Sequence, residues 1–474
     1  YIERIEIAGP GFLNFFLTKH AYTELVHALT TDKAAFFKLD PGTHTQNYNI
    51  EFVSANPTGP VHLGHGRGGI IGDVLGNIVL FLGHRVTKEF YINDAGVQVQ
   101  KLGASLKARC QQQAGIDAQL PEDGYQGEYL VDLARECIQE HSTLVLKESD
   151  EFFQEYAKEK LLHAIKKVLH DYGINFDVWF SEKSLHTNGS IERTLHLLQE
   201  HGHLFEHEGA LWFRSTAFGD DKDRVLRKSS GELTYVAADS AYMQNKANRG
   251  FTQLIMVLGH DHHGYEERLQ GLRKALDIAA PLHIVFYQLV KMKASGQLVR
   301  MSKRAGNIVT LSDVIETVGT DVARFFYLNR KADAQLEFDL DLALKRTDEN
   351  PVYYVQYAYV RTGSIFAKAA QSTELHDITT NDAQYIGQEE QLLIKKIAAL
   401  RPLLESIAHT YQTHVLTYYA LELAQTFHSY YAKNKVIDLD NLNQSRGRLL
   451  MVQLTRNTLG MTFDLLGISK PEKM

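Results

Sequence analysis

Two histidines three residues apart, His62 and His65, flank Gly64 between a strand-like run and an apolar-periodic run. Pro57 and Pro60 keep the preceding segment extended and stop a helix from starting early. The pair therefore falls at a strand-to-helix junction, where backbone N–H groups and the helix dipole collect anions. Residues three apart share a helix face. Gly64 leaves room there for something flat and close, and a purine with its phosphates fits that description. A tetrapeptide of this kind also arises as plain polar surface, so the rest of the chain has to decide.

Three further constellations could do chemistry. Met301, Ser302 and Lys303 lie in a basic loop that Gly296 precedes. A lysine supplies a mobile point charge and a serine a hydroxyl, which suits a triphosphate that must be gripped and released; a solvated surface loop would look the same. Gly259 opens the run His260-Asp261-His262-His263, placed after an apolar strand, where open α/β sheets bind ligands. These side chains could also be metal ligands, although three imidazoles so close in sequence need an unusual loop to face one ion. Tyr235 and Asp239 are four apart and share a face if they start a helix. With Glu51 at the end of the first strand, two carboxylates and a phenol could converge. Such a pocket wants a cation, and a guanidinium suits best because its planar fork takes carboxylates two bonds at a time. Asp239 reads equally well as a cap or a surface ion-pair partner.

The elements that must position these groups follow βαβ grammar. Strand patterns at 48–54, 85–92, 254–258 and 283–289 alternate with helix patterns at 62–82, 94–112 and 266–278. This implies a parallel sheet with crossover helices. Residues 113–170 read as a polar helical insertion between two halves of the sheet. The segment 204–237 holds short β-like runs. Strand-like alternation ends near 340, and amphipathic helical runs continue to the end, so a helical bundle is expected beyond that boundary. The first residues read as strand, turn and strand.

Composition narrows the class. The chain has 474 residues, 44% hydrophobic and 23% charged, which suits two to four ordinary globular domains. No run of 18 apolar residues and no signal-like start point to a membrane or to secretion. Two cysteines, Cys110 and Cys137, are too few for a disulfide framework or a Cys-rich zinc site. A reducing cytoplasm is the default compartment. A net charge of -7 does not announce a nucleic-acid binder, yet a local basic track would suffice for one. The chain opens in mid-pattern at Tyr1, and a preceding segment is expected.

Taken together, these stretches resemble the class I aminoacyl-tRNA synthetases. HLGH stands where that class has HIGH, and Arg300 to Arg304 stands where it has KMSKS. EFVSANPTGPVHLGHGRGGIIGD, YINDAG, GHDHHGY and VRMSKRAGNIV are closer still to the arginyl-tRNA synthetases of bacterial type. The resemblance covers nearly the whole chain from Ile5.

It implies a Rossmann-like catalytic domain over 45–340 and a helical anticodon-binding domain over 341–474. Residues 1–44 would be the remnant of an N-terminal tRNA-binding domain with its linker. His62, Gly64 and His65 would bind ATP and stabilise charge at the α-phosphate, with Gly259 also on the ATP side. Lys303 would grip the leaving pyrophosphate, with Met301 and Ser302 shaping the loop. Glu51, Tyr235 and Asp239 match positions that read the arginine side chain, Asn56 one that holds the amino-acid head group, and His262 a neighbouring contact. The resemblance implies ATP with Mg2+, L-arginine and tRNA(Arg) as partners, no structural zinc, no membrane, and a monomer in the cytoplasm. Two departures stand out. Arg300 replaces the first lysine of KMSKS, and Tyr359 replaces the histidine of the family's QYAHAR run.

Overall fold

The computed structural model describes residues 1–40, 42–298 and 309–474. The chain starts with an antiparallel hairpin, β1 (Ile2–Ala8) and β2 (Phe12–Leu17), then α1 (Lys19–Asp32). β3 (Asn47–Phe52), α2 (Leu63–Phe81) and β4 (Arg85–Ile92) make the first βαβ unit. Three helices come next: α3 (Val97–Gln113), α4 (Glu128–His141) and α5 (Asp150–Asp171). They bury a core of their own around Leu102, Leu106, Leu133 and Phe153. The main sheet resumes with β5 (Val178–Ser181), followed by α6 (Glu182–Thr187) and α7 (Ser190–Glu200). The β-like runs after residue 204 form a small antiparallel sheet of β6 (Leu204–His207), β7 (Ala210–Phe213) and β8 (Arg224–Arg227). α8 (Tyr235–Asn248), β9 (Gln253–Gly259), α9 (Glu266–Ala275) and β10 (Leu282–Tyr287) complete the α/β part.

The main sheet has the order β10-β9-β3-β4-β5, and every pairing in it is parallel. This is the Rossmann-like arrangement the sequence led us to expect. β3 sits at its centre, and Tyr48 to Phe52 are all buried, as a parallel strand covered on both faces must be. α2 packs on it at glycine positions. A Cβ added at Gly72 would lie 2.3 Å from Cγ of Phe52. Glycine inside a helix costs about 1 kcal/mol, and here only glycine permits the approach.

One helix differs from expectation. The run predicted from 94 begins at Val97, because Gly96, at φ 87°, occupies the N-cap in a conformation that favours glycine. Asp94 is used elsewhere: it accepts from Ser181 Oγ at 2.7 Å and from the Lys183 N–H at 2.9 Å. The predicted strand 283–289 also ends early, at Tyr287, and the chain enters another sheet as β11 (Val290–Ala294). β11 pairs with β12 (Gln297–Leu298) and with β13 (Leu336–Asp339). Between those two strands lie α10 (Leu311–Val318) and α11 (Thr320–Leu328).

After α12 (Leu340–Ala343) no strand occurs among the described residues. Asn350 caps α13 (Pro351–Ala369), with Pro351 at the tolerated first position. α14 (Gln391–Ala398), α15 (Leu400–Thr410), α16 (Val415–Lys433) and α17 (Leu442–Leu466) follow. The bundle is locked to the α/β part by fully buried Arg324. Its guanidinium donates to the carbonyls of Leu466 and Tyr172 at 2.9 Å each and to Asp73 Oδ2 at 2.5 Å. Asp73 sits on α2 and also binds Lys88 at 2.6 Å. Asn77, one turn on, donates to the Leu465 carbonyl at 3.1 Å. No described helix is long and apolar enough to cross a membrane.

Candidate active site

The chain leaves β3 towards β4 on one side and returns to β9 on the other. The carboxyl ends of β3 and β9 therefore flank a topological switch point, the crevice where open α/β sheets take ligands. The histidine pair follows β3, and the Gly259 run follows β9. Tertiary structure thus places side by side two signatures nearly 200 residues apart in sequence.

His62 is the N-cap of α2, and its Nδ1 accepts from the Gly64 N–H at 3.2 Å. The His62 and His65 rings are stacked, with centroids 3.7 Å apart. A Cβ on Gly64 would lie 3.1 Å from the His62 ring. The room that Gly64 leaves is thus used by His62 folding back over the helix end. Both imidazoles stand at the positive end of a 19-residue helix. Lys303, Met301 and Ser302 lie outside the described residues. The stretch from Val309 onward is described, and it is pinned to the histidine segment. Leu63 N–H donates to the Val309 carbonyl at 3.2 Å, and Leu311 N–H to the Val61 carbonyl at 2.8 Å.

The turn after β3 is strained. Val53 and Ser54 both have left-handed backbones, at φ 67° and 40°. For a β-branched residue that conformation is an outlier worth of order 1–3 kcal/mol. It turns the Ser54 hydroxyl back over the strand end, where Oγ accepts from the Tyr91 N–H at 3.1 Å. Glu51, just before the turn, is buried and ion-paired with Lys246 at 2.5 Å. Asn56, beyond the turn, is exposed and accepts from Asn93 at 3.1 Å.

Asp239 lies on the second turn of α8. Arg268 donates to its Oδ2 at 3.1 Å and stacks at 3.9 Å over the ring of Tyr265. That contact links the Gly259 run to Asp239. Tyr235, one turn earlier on the same face, is 60% exposed at the rim. A Cβ on Gly259 would lie 2.5 Å from Asp261 Oδ1. His262 is exposed, packed edge-on to Tyr265. Among the described residues no group of three or more His, Cys, Asp or Glu is arranged to hold a metal ion.

Sequence reading missed two further members of the cluster. Tyr91, on β4, is a second phenol of the cluster: burial, together with the nearby carboxylates of Glu182, Asp239 and Glu51, raises its pKa. Glu182 opens α6 and is 4% exposed. Burial, aided by Asp239 and Asp94, pushes its carboxyl up to about 7. Asp239 keeps 28% side-chain exposure in the open cleft, yet burial, with help from Glu51, raises it to about 6 against the opposing pull of Arg268. Glu182 and Asp239 thus both resist ionising.

On the helical bundle, a groove of about 800 Å³ runs between α13 and the end of α16. Tyr357 and Tyr431 line it, with Arg361, Lys368, Lys433 and Lys435. The Arg361 guanidinium lies 4.5 Å from the Tyr357 ring and 5.4 Å from that of Tyr431. Tyr359 is not part of this surface. It is buried beneath Arg456 and against Phe463.

Comparison with known proteins agrees with this geometry. Residues 26–333 match the family described as tRNA synthetases class I (R), catalytic domain, and residues 355–474 match the DALR anticodon binding domain. A Halalkalibacterium halodurans protein named Arginine--tRNA ligase 1 is 42% identical over 478 residues, covering 100% of this chain and 86% of the relative. A candidate arginyl-tRNA synthetase structure from Campylobacter jejuni superposes with a TM-score of 0.88 at 33% identity, covering 97% of this chain and 100% of that one. Thermus thermophilus arginyl-tRNA synthetase shares the fold, with a TM-score of 0.77 at 20% identity. On these matches, which span the α/β part and the helical bundle alike, the chain belongs to the class I arginyl-tRNA synthetases of bacterial type.

Proposed function

We propose that the chain joins L-arginine to tRNA in two steps. The arginine carboxylate attacks the α-phosphate of ATP in line, giving arginyl-adenylate and pyrophosphate. The terminal ribose hydroxyl of the tRNA then takes the arginine, and AMP leaves. No covalent enzyme intermediate is needed, so catalysis is mostly positioning and electrostatics.

The observation that carries this reading is one crevice with two opposite chemistries. Its α2 side offers imidazoles and a helix N-terminus to phosphate; its α8 side offers carboxylates to a cation. In this reading His62 and His65 steady the charge that develops on the α-phosphate, with Gly64 letting His62 fold back over the helix end and Gly259 on the ATP side. Lys303 holds the leaving pyrophosphate from a loop whose exit is pinned beside His62, and Met301 and Ser302 shape that loop. Asp239 and Glu182 take the guanidinium, with Tyr235 closing the rim and Tyr91 beside Glu182. Asn56 and His262 contact the amino-acid end. Glu51, already neutralised by Lys246, organises the pocket floor. A Mg2+ accompanying the triphosphate would neutralise its charge.

The basic, tyrosine-lined groove on the bundle suits single-stranded RNA, because exposed rings stack on bases while lysine and arginine meet phosphate. Charging of tRNA(Arg) with labelled arginine in the presence of ATP tests the whole reading. Formation of an alkali-labile arginyl ester on the tRNA supports it, and charging with a different amino acid overturns the specificity.

A further inference from the structure

Among the described residues seven carboxylates are buried, and six of them lie within 3.5 Å of a lysine or arginine: Glu51, Asp73, Glu89, Asp220, Asp382 and Glu390. Glu182 is the seventh and has no such partner. From β4, Tyr91 is its neighbour. From its own helix, His186 Nε2 comes to 3.7 Å. The neighbouring Lys183 is committed to Glu155 at 2.8 Å. From α8 and from the segment before α3, Asp239 and Asp94 add negative potential. The other acids of the cleft have their own cations: Asp239 has Arg268, Glu51 has Lys246, and Glu89 has Arg249. Among the described residues, Arg268, Lys246, Arg249 and Lys183 are therefore already paired with carboxylates of the chain.

A buried anion with no cation is costly, and a carboxyl in that position takes up a proton instead. We infer that arginine enters the cleft in exchange for a proton carried by Glu182. The exchange balances: the Glu182 carboxylic acid gives its proton to water, and the carboxylate left behind pairs with a guanidinium that keeps its own charge. The inference rests on assigning this cleft to the arginine side chain. It makes Glu182 a specificity-determining group, because a neutral side chain of similar shape would leave the acid protonated and gain no ion pair.

The sign of the pH dependence follows. Arginine binds the ionised form, so protons compete with it below the point where the empty-cleft acid titrates. With that point at about 7, affinity rises about tenfold from pH 6 to pH 8 and levels off above. Asp239, raised to about 6, steepens the acidic end.

Isothermal titration of L-arginine into the chain, in two buffers of different ionisation heat, counts the protons directly. Near pH 7 the heats should differ by the release of about half a proton per arginine. Glu182→Gln should abolish the difference and weaken binding, whereas His186→Gln should leave the release in place. Arginine binding with buffer-independent heats in the unmodified chain would overturn the proton exchange while leaving the pocket assignment intact. No arginine binding in either buffer would overturn both. Release that survives Glu182→Gln but disappears in His186→Gln would assign the proton to the imidazole and overturn the role given to Glu182.

Discussion

At the scale of single residues, the acidic cleft divides labour by how each carboxylate is paired. Asp239 holds Arg268 through one oxygen and leaves the other for a second donor. Asp239→Ala should therefore weaken arginine binding about 10- to 100-fold, the loss of a charge-assisted hydrogen bond, with ATP binding unchanged. Calorimetry with each ligand separately measures this, and equal losses for both would contradict the assignment. Lys303→Ala should lower the rate of adenylate formation about 100-fold or more, with arginine affinity little changed. Single-turnover measurement separates the two. His62, Gly64, His65, Glu51 and Asp239 could be singled out from sequence because their spacing or chemistry is distinctive. Glu182 and Tyr91 could not. Neither stands in a recognisable local pattern, and they meet only when β5 pairs with β4 across an insertion of three helices.

At the scale of elements, α2 is what makes the crevice possible. Its glycines let it lie against β3 and present its N-terminus beside the histidines. Gly72→Ala forces a methyl into Phe52 and should destabilise the α/β part by about 1–3 kcal/mol, read as a lower denaturant midpoint; an unchanged midpoint would contradict the close packing. The parallel strands and their crossover helices were legible, since each pattern has a definite period. The start of α3 was not, because Asp94 looks like a helix cap in sequence and is claimed instead by Ser181 and Lys183. The turn at Val53 and Ser54 was equally hidden: nothing in a β-branched residue advertises a left-handed backbone.

At the scale of the whole molecule, Arg324 ties the last turn of the bundle's final helix to the helix that carries the histidines. Nothing in the sequence around Arg324 marks it, since its three acceptors come from segments 73, 172 and 466. Arg324→Met leaves two buried carbonyls without their donor and Asp73 with Lys88 as its one cation; it should cost about 3 kcal/mol and speed hydrogen exchange at the end of α17. Unchanged exchange there would contradict the clamp. On the bundle, Arg361→Ala should weaken tRNA binding and reduce the slope of log affinity against log salt by about 1; a parallel loss at every salt concentration would indicate stacking alone. The most direct test of the central claim is ATP–pyrophosphate exchange measured across the amino acids, with and without tRNA(Arg). The account predicts exchange with arginine, sensitive to substitution at Asp239 and Lys303. Exchange with another amino acid in place of arginine, or none with arginine even when tRNA(Arg) is present, would contradict it.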